Sequence, residues 1–425
     1  MGKRLGIYIH IPFCASKCGY CDFYSLANCE RKMPDYQSAL LSHISESEDC
    51  MKSFEIDSIY FGGGTPSHYG AKRIVEILDE LKRQGNVRLD SEITVEVNPD
   101  STRLDDLKLL RHEGVNRLSI GVQSANNDLL KIIGRRHNFR QVEMAVDCAR
   151  RAGFDNISLD LIYGLPSQTR QDWAETLAKA IALHPEHISC YGLKLEEGTP
   201  MYDKYFGSPL IPDDDDQADM YLYAVETLKS YGIEQYEISN FAVPGYESKH
   251  NMKYWTLQDY MGFGPGAHSC VDNLRYSYIR DLDTYISAVN GVGQIIDEYE
   301  PSIPIQRAAE YIMLGMRTVK GISAQGYRNI YKSNWAPLEK TFEEFALRGW
   351  AKKDGDSWHL TPSGMLISNT LINVMLDAQT GVKVEFNPWM KDAFDAEEKQ
   401  ELPQGDDERF LEYYKNLARQ RRKEQ

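Results

Sequence analysis

Cysteine is scarce in this chain, with eight among 425 residues. That rules out the dense, even disulfide framework by which small secreted domains hold together. Long hydrophobic runs are missing too. No apolar stretch reaches the ~18 residues a bilayer-spanning helix needs, and the opening run from Leu5 to Phe13 leads into cysteines rather than a small-residue cleavage site. Neither a membrane anchor nor a secretory leader is expected, and the default setting is the cytoplasm. Excess positive charge is also lacking: 63 acidic against 48 basic residues give a formal charge of -15. Such a field repels nucleic acid and anionic membrane surfaces, so no nucleic-acid partner is expected. No repeat of fixed period occurs. A composition that is 42% hydrophobic leaves a large globular chain able to bury one large core and a second, smaller one.

The few cysteines are not spread out. Three of them fall in "CASKCGYC", residues 14–21, a CxxxCxxC pattern expected only about 0.003 times by chance in a chain of this length and composition. A structural zinc site would want a fourth ligand in paired knuckles, and neither Cys29 nor Cys50 supplies one. Three thiolates crowded onto one loop suit an iron-sulfur cubane, in which three irons each take one sulfur and the fourth stays open for chemistry.

Short β-rich runs recur through the first half: "GIYIHI", "DSIYFGG", "EITVEVN", "RLSIGVQ", "ISLDLIYG" and "ISCYGLKL". Helix-period segments such as "AKRIVEILDELKRQ", "FRQVEMAVDCARRAGF" and "TRQDWAETLAKAIALH" lie between most of them. The alternation predicts an α/β fold of parallel βαβ units over residues 1–235. Six units are too few to close eight strands, so the expected shape is a partial (β/α)6 TIM-like barrel. Residues 236–300, rich in Gly and Tyr, read as a loop-rich bridging segment. Residues 301–380 show helical patterns, a hairpin at "KDGDS" and a last helix, which suggests a smaller winged-helix-like domain. Residues 381–425 read as a charged tail with an exposed helix at "ERFLEYYKNLARQRRK".

"FGGGTPS", residues 61–67, closes the second predicted strand. Its glycines would let backbone approach a ligand and offer amides to it, although a plain tight turn reads equally well. Glu96 in "TVEVNP" and Asp160 in "LDLIYGLP" are carboxylates inside apolar strands. They are costly to bury unpaired, and so are expected to face a ligand. With Gln123 in "GVQS" they lie near strand C-terminal ends, where barrel folds place their sites. Arg135 in "GRRH" could equally be a solvated loop arginine.

Together these residues resemble the radical S-adenosylmethionine (SAM) superfamily. The resemblance implies that Cys14, Cys18 and Cys21 hold a 4Fe-4S cluster whose free iron chelates SAM. It further implies cofactor contacts from Tyr8, Tyr20, Gly63, Gly64, Thr65, Glu96, Gln123, Arg135 and Asp160. Within the superfamily, "YIHIPFC" and the C-terminal helical region are similar to the anaerobic coproporphyrinogen-III oxidase-like family. One branch of that family decarboxylates coproporphyrinogen III oxidatively and carries a longer N-terminal extension and a further cysteine two residues after the third ligand. This chain has Phe23 there and thirteen residues before Cys14. The other branch consists of haem chaperones with an HNxxYW motif, and "HNMKYW", residues 250–255, supplies every fixed position; "GFGPGAHS", residues 262–269, is also similar. That branch implies haem as ligand, an acceptor apoprotein (a transiently engaged membrane protein among the candidates) and an electron donor; the decarboxylase is the alternative. His250 is then expected as an axial haem ligand, with Tyr254 and Trp255 against the macrocycle and Lys253 toward a propionate, and His268 is the next candidate. On the residues alone, the plainer reading is that His250 and Trp255 anchor a loop against the barrel.

The remaining features point to structure. "DDDD", residues 213–216, suits the N-terminus of a helix beginning near Ala218; Cys148 and Cys190 read as buried fillers; and His10, His184 and His187 lack ligand-like spacing to the cysteines. A winged-helix shape does not by itself imply DNA binding.

Overall fold

Polar and apolar residues alternate within the strands of the first half, and this alternation decides which side of the sheet each residue serves. The computed structural model describes residues 2–381. Six strands run parallel: β1 (Arg4–Ile11), β2 (Glu55–Gly63), β3 (Asn86–Val97), β4 (Arg117–Gln123), β5 (Ile157–Tyr163) and β6 (His187–Gly192). Leu5, Ile7, Ile9 and Ile11 of β1, with Ile59 and Phe61 of β2, are fully buried in the core. The alternate positions are polar, and the register sets them side by side: Tyr8 opposite Tyr60, Ser58 opposite Glu92, Glu96 opposite Ser119, and Asp160 opposite Ser189. The inner face of this partial barrel is therefore a continuous polar surface rather than the packed apolar layers of a closed one.

A helix follows each strand: α1 (Met33–Glu46), α2 (Ala71–Gln84), α3 (Leu104–His112), α4 (Phe139–Arg151), α5 (Arg170–Ile181) and α6 (Asp214–Ser230). Their starts are written locally. Asn138 with Gln141 and Thr169 with Asp172 form reciprocal capping boxes on α4 and α5. Asp213 caps α6 by accepting the Asp216 amide at 2.8 Å, so the acidic run is a helix start, four residues earlier than the periodicity suggested.

Residues 236–300 are more regular than their composition suggests. β7 (Glu234–Gln235) and β8 (Asn240–Ala242) extend the sheet beyond β6. The helix α7 (Lys249–Trp255) follows, and β9 (Tyr260–Phe263) then pairs parallel with β1. The meander β10 (His268–Val271), β11 (Leu274–Tyr278) and β12 (Ile296–Pro301), with α8 (Leu282–Val289) ahead of β12, completes a twelve-stranded sheet. Its order is β12-β11-β10-β9-β1-β2-β3-β4-β5-β6-β8-β7. Strands this short are too brief to show a periodicity.

The last described segment has the winged-helix order: α9 (Pro304–Gly315), β13 (Ile322–Ser323), α10 (Ala324–Ile330), α11 (Ala336–Leu347), then the hairpin β14 (Ala351–Asp354) and β15 (Ser357–Leu360), and finally α12 (Ser368–Thr380). The helix expected in the charged tail lies outside the described residues. No described helix is long and apolar enough to cross a membrane.

Candidate functional site

The cysteine loop leaves β1 directly, and other elements hold it in place. Phe13–Cys14 pairs with Leu26–Ala27, the Gly19 amide donates to the Ile133 carbonyl (3.1 Å), and the Met201 amide donates to the Gly19 carbonyl (3.0 Å). Tyr20 packs against an apolar cluster containing Leu129, Ile133 and Met201. All three sulfurs consequently face one cavity of about 420 Å³ at the C-terminal end of the barrel.

The cavity wall supplies hydrogen bonds to sulfur. Thr65 Oγ1 donates to Cys14 Sγ at 3.4 Å and Arg135 Nη1 to Cys18 Sγ at 3.7 Å. Burial pushes the Cys14 and Cys21 thiols above their usual range, opposed at Cys14 by the Thr65 bond, so thiolates here call for a cationic partner. No group of three or more described His, Cys, Asp or Glu side chains closes on a single metal ion. Cluster ligands have no such requirement, since each binds a different iron. The all-thiolate donor set and its sulfur-directed donors fit a 4Fe-4S cluster.

Opposite the cysteines lie the carboxylates. Glu96 accepts from Tyr60 Oη at 2.9 Å, and burial pushes its carboxyl up to about 7 despite that bond, with the charge of Asp160 adding to the rise. Asp160 accepts from three hydroxyls: Ser119 (2.7 Å), Ser189 (2.8 Å) and Ser158 (3.2 Å). Arg135 is no solvated loop residue, because Nη2 donates to Asn98 Oδ1 and the Gly121 carbonyl, both at 2.7 Å. Gly121 must be glycine for this, as a Cβ there would lie 2.9 Å from that nitrogen. Gln123 has φ 64° where the β4–β5 register slips, and the irregularity turns it into the cavity wall.

Gly63, Gly64 and Thr65 also line the cavity, and two of their amides are taken up within the chain. The Gly64 and Thr65 N–H groups donate to the Ile11 and Phe13 carbonyls at 2.7 and 2.8 Å, clamping the strand that carries Cys14. A Cβ on Gly64 would sit 2.8 Å from both carbonyl oxygens, so glycine here permits close strand approach.

Two expected residues are not brought to the cavity. Tyr8 lies beneath it, hydrogen-bonded to His10 Nδ1 at 3.1 Å. His250 is only 2% exposed, with Nδ1 against Ser58 Oγ (2.9 Å) and Nε2 against Tyr254 Oη (2.8 Å), so it offers no free nitrogen to an iron. His268 is exposed at the start of β10. Tyr60, Asn98, Ser119, Ser189 and Tyr191 belong to the site, and the reading of the sequence missed them. Apart from Asn98, they share the parity of Glu96 and Asp160 along their strands. Phe23, the residue standing where one branch carries cysteine, is 65% exposed and borders the cavity.

Comparison with known proteins agrees with this geometry. The model of the radical SAM superfamily matches residues 8–180 and that of the HemN C-terminal domain residues 304–367. The protein named "Heme chaperone HemW" of Bacillus subtilis is 34% identical over 87% of this chain and 98% of its own length. This chain belongs to the HemW family. The Escherichia coli HemW is 32% identical, covering 88% of this chain and 98% of its own. Among solved structures, the E. coli coproporphyrinogen III oxidase HemN, described as a radical SAM enzyme, superposes with a TM-score of 0.78 over 88% of this chain and 90% of its own. At 22% identity it speaks for the fold alone.

Proposed function

We propose that this HemW-family chain is a haem chaperone that binds haem and hands it to an acceptor apoprotein, on a scaffold carrying a 4Fe-4S cluster and SAM. The observation that carries the reading is the cavity itself, with Cys14, Cys18 and Cys21 on one wall and Glu96, Asp160 and Arg135 on the other, in a chain spanning 98% of its chaperone relatives. Cys14, Cys18 and Cys21 would hold the cluster, which supplies one open iron and one-electron chemistry when bound. SAM would lie between it and the barrel wall. Glu96 and Asp160 would accept from its amino and hydroxyl groups, Arg135 and Gln123 would donate to its carboxylate, and Tyr20 would help to shield it from water. Phe23 at the cavity edge gives a flat apolar face instead of a further thiol.

Haem titration into the reconstituted full chain, run beside an assay of coproporphyrinogen III conversion, tests the reading. A Soret band that saturates at one haem per chain without conversion supports the chaperone, and conversion without haem uptake replaces it with the decarboxylase. Transfer of haem to a candidate apoprotein, and its dependence on a supplied electron donor, then defines the partners.

A further inference from the structure

The motif "HNMKYW" is on α7, and α7 plugs the end of the barrel opposite the cysteines. The Ser248 hydroxyl and the Lys249 and His250 amides donate to Glu92 at 3.3, 2.9 and 3.0 Å. Lys253, 2% exposed, pairs with Asp57 at 2.6 Å. Gly6 of β1 makes room, since a Cβ there would lie 2.6 Å from Lys253 and 3.2 Å from His250.

We infer that α7 is the positioning base of the cofactor site: His250, stacked beneath Tyr60, holds the ring whose hydroxyl orients Glu96, and Ser248 begins a one-way hydrogen-bond chain that ends on Asp160. The inference rests on the reading that SAM occupies the cavity.

The Glu96 arm is a stack. The His250 ring lies 5.4 Å from that of Tyr60 with 26° between planes, and Tyr60 Oη reaches Glu96. His250 is itself fixed at both nitrogens, by Ser58 and Tyr254, and burial beside Lys253 and Arg117 pushes it down to about 3, so it stays neutral. The Asp160 arm has a single polarity. Ser158 donates its one proton to Asp160, so its oxygen accepts from His187 Nδ1 (2.8 Å). His187 Nε2 must then accept from Tyr236 Oη (2.8 Å), whose oxygen accepts the Ser248 amide (3.4 Å). A neutral imidazole has one donor and one acceptor nitrogen and closes this chain in one tautomer only. Both carboxylates of the site are thus held through groups that end on one seven-residue helix and the Ser248 that caps it.

The test measures SAM binding to the iron-loaded full chain by calorimetry, with haem titration and thermal melting in parallel. His250→Ala and Tyr60→Phe should each weaken SAM binding about tenfold and the double variant little further, because both act through Glu96. Tyr236→Phe, which keeps the ring and loses the hydroxyl, should weaken it several-fold. Iron content and haem affinity should not change. Lys253→Met disturbs the same helix without touching either arm, so it should lower the melting temperature and leave SAM affinity near that of the parent. Equal SAM affinity in His250→Ala and parent overturns the inference, as does a loss in Lys253→Met matching that in His250→Ala, or loss of haem with SAM binding intact in His250→Ala. A parent chain with full iron that binds no SAM instead overturns the proposed function.

Discussion

At the C-terminal end of the barrel three cysteines and two carboxylates face about 420 Å³ of open space, while at the opposite end His250, Lys253 and Glu92 each find their partners within the chain. The residue types overlap, yet one end keeps acceptors and thiols for a ligand and the other pairs most of its polar groups internally, the buried Trp255 indole N–H excepted. A buried polar group is costly unless partnered, so its surroundings separate ligand sites from structural ones more sharply than its identity does. HNMKYW has the composition of a haem site but the packing of a floor.

The comparison is broken most severely by removing a group that faces the open end. Cys14→Ala, Cys18→Ala or Cys21→Ala should each abolish the cluster, read as loss of iron and of its visible absorption. Cys190→Ala, in the buried core, should leave both unchanged. A full iron count in any of the three ligand variants would remove the cavity from the cluster's account.

At the closed end the largest expected effect is on stability. Lys253→Met leaves Asp57, 13% exposed, with only the half-exposed Arg4 at 3.7 Å, and removing one partner of a buried pair costs about 3 kcal/mol. Urea unfolding should show that loss; a change under 1 kcal/mol would mean that the floor is wetter than the structure indicates.

The two ends should pull stability in opposite directions with pH: His250, held neutral down to about 3, contributes stability that is lost as pH falls below 6.5, whereas the open end loses stability as pH rises. Glu96 is raised from the usual 4.5 to about 7 mainly by burial. Between those values the folded chain holds a proton that the unfolded chain has released, so this contribution is fullest below pH 4.5 and is lost as pH rises to 7. The whole shift corresponds to about 3 kcal/mol. In the iron-free protein, the stability of Glu96→Gln relative to the parent should rise with pH between 5 and 7.5. Parallel slopes would place Glu96 in contact with water.

Much of the open end was legible in the sequence because its chemistry is local. Three cysteines within eight residues and carboxylates inside apolar strands declare themselves without knowledge of the fold. The six strands and the helices between them were legible for the same reason, as each carries its own period, and α4, α5 and α6 their own caps. The closed end was not. His250 meets Ser58 across 192 residues of sequence and Glu92 across 158, and no spacing rule reaches so far. The strands between 234 and 301, some two or three residues long, are held by neighbours on β1 and β6 rather than by their own pattern. The glycines of "GGGTP" lie at the cavity, but only the fold reveals that the Gly64 and Thr65 amides clamp the cysteine strand.

The smallest effect sharpens the comparison from outside the barrel. Lys131 and Asp128 form an ion pair at 2.7 Å on the surface, with side chains 75% and 83% exposed. Its geometry is as good as that of Lys253–Asp57, so a difference in worth between the two pairs reports burial alone. Water screens the exposed pair and two long side chains must be held still, so a double-mutant cycle through Lys131→Ala and Asp128→Ala should give a coupling of about 0.5 kcal/mol or less that fades with added salt. The corresponding cycle through Lys253→Met and Asp57→Asn should give several times more and be indifferent to salt. Equal couplings would mean that the floor of the barrel is as accessible to solvent as its outer surface, and the contrast between the two ends would have to be drawn on some ground other than burial.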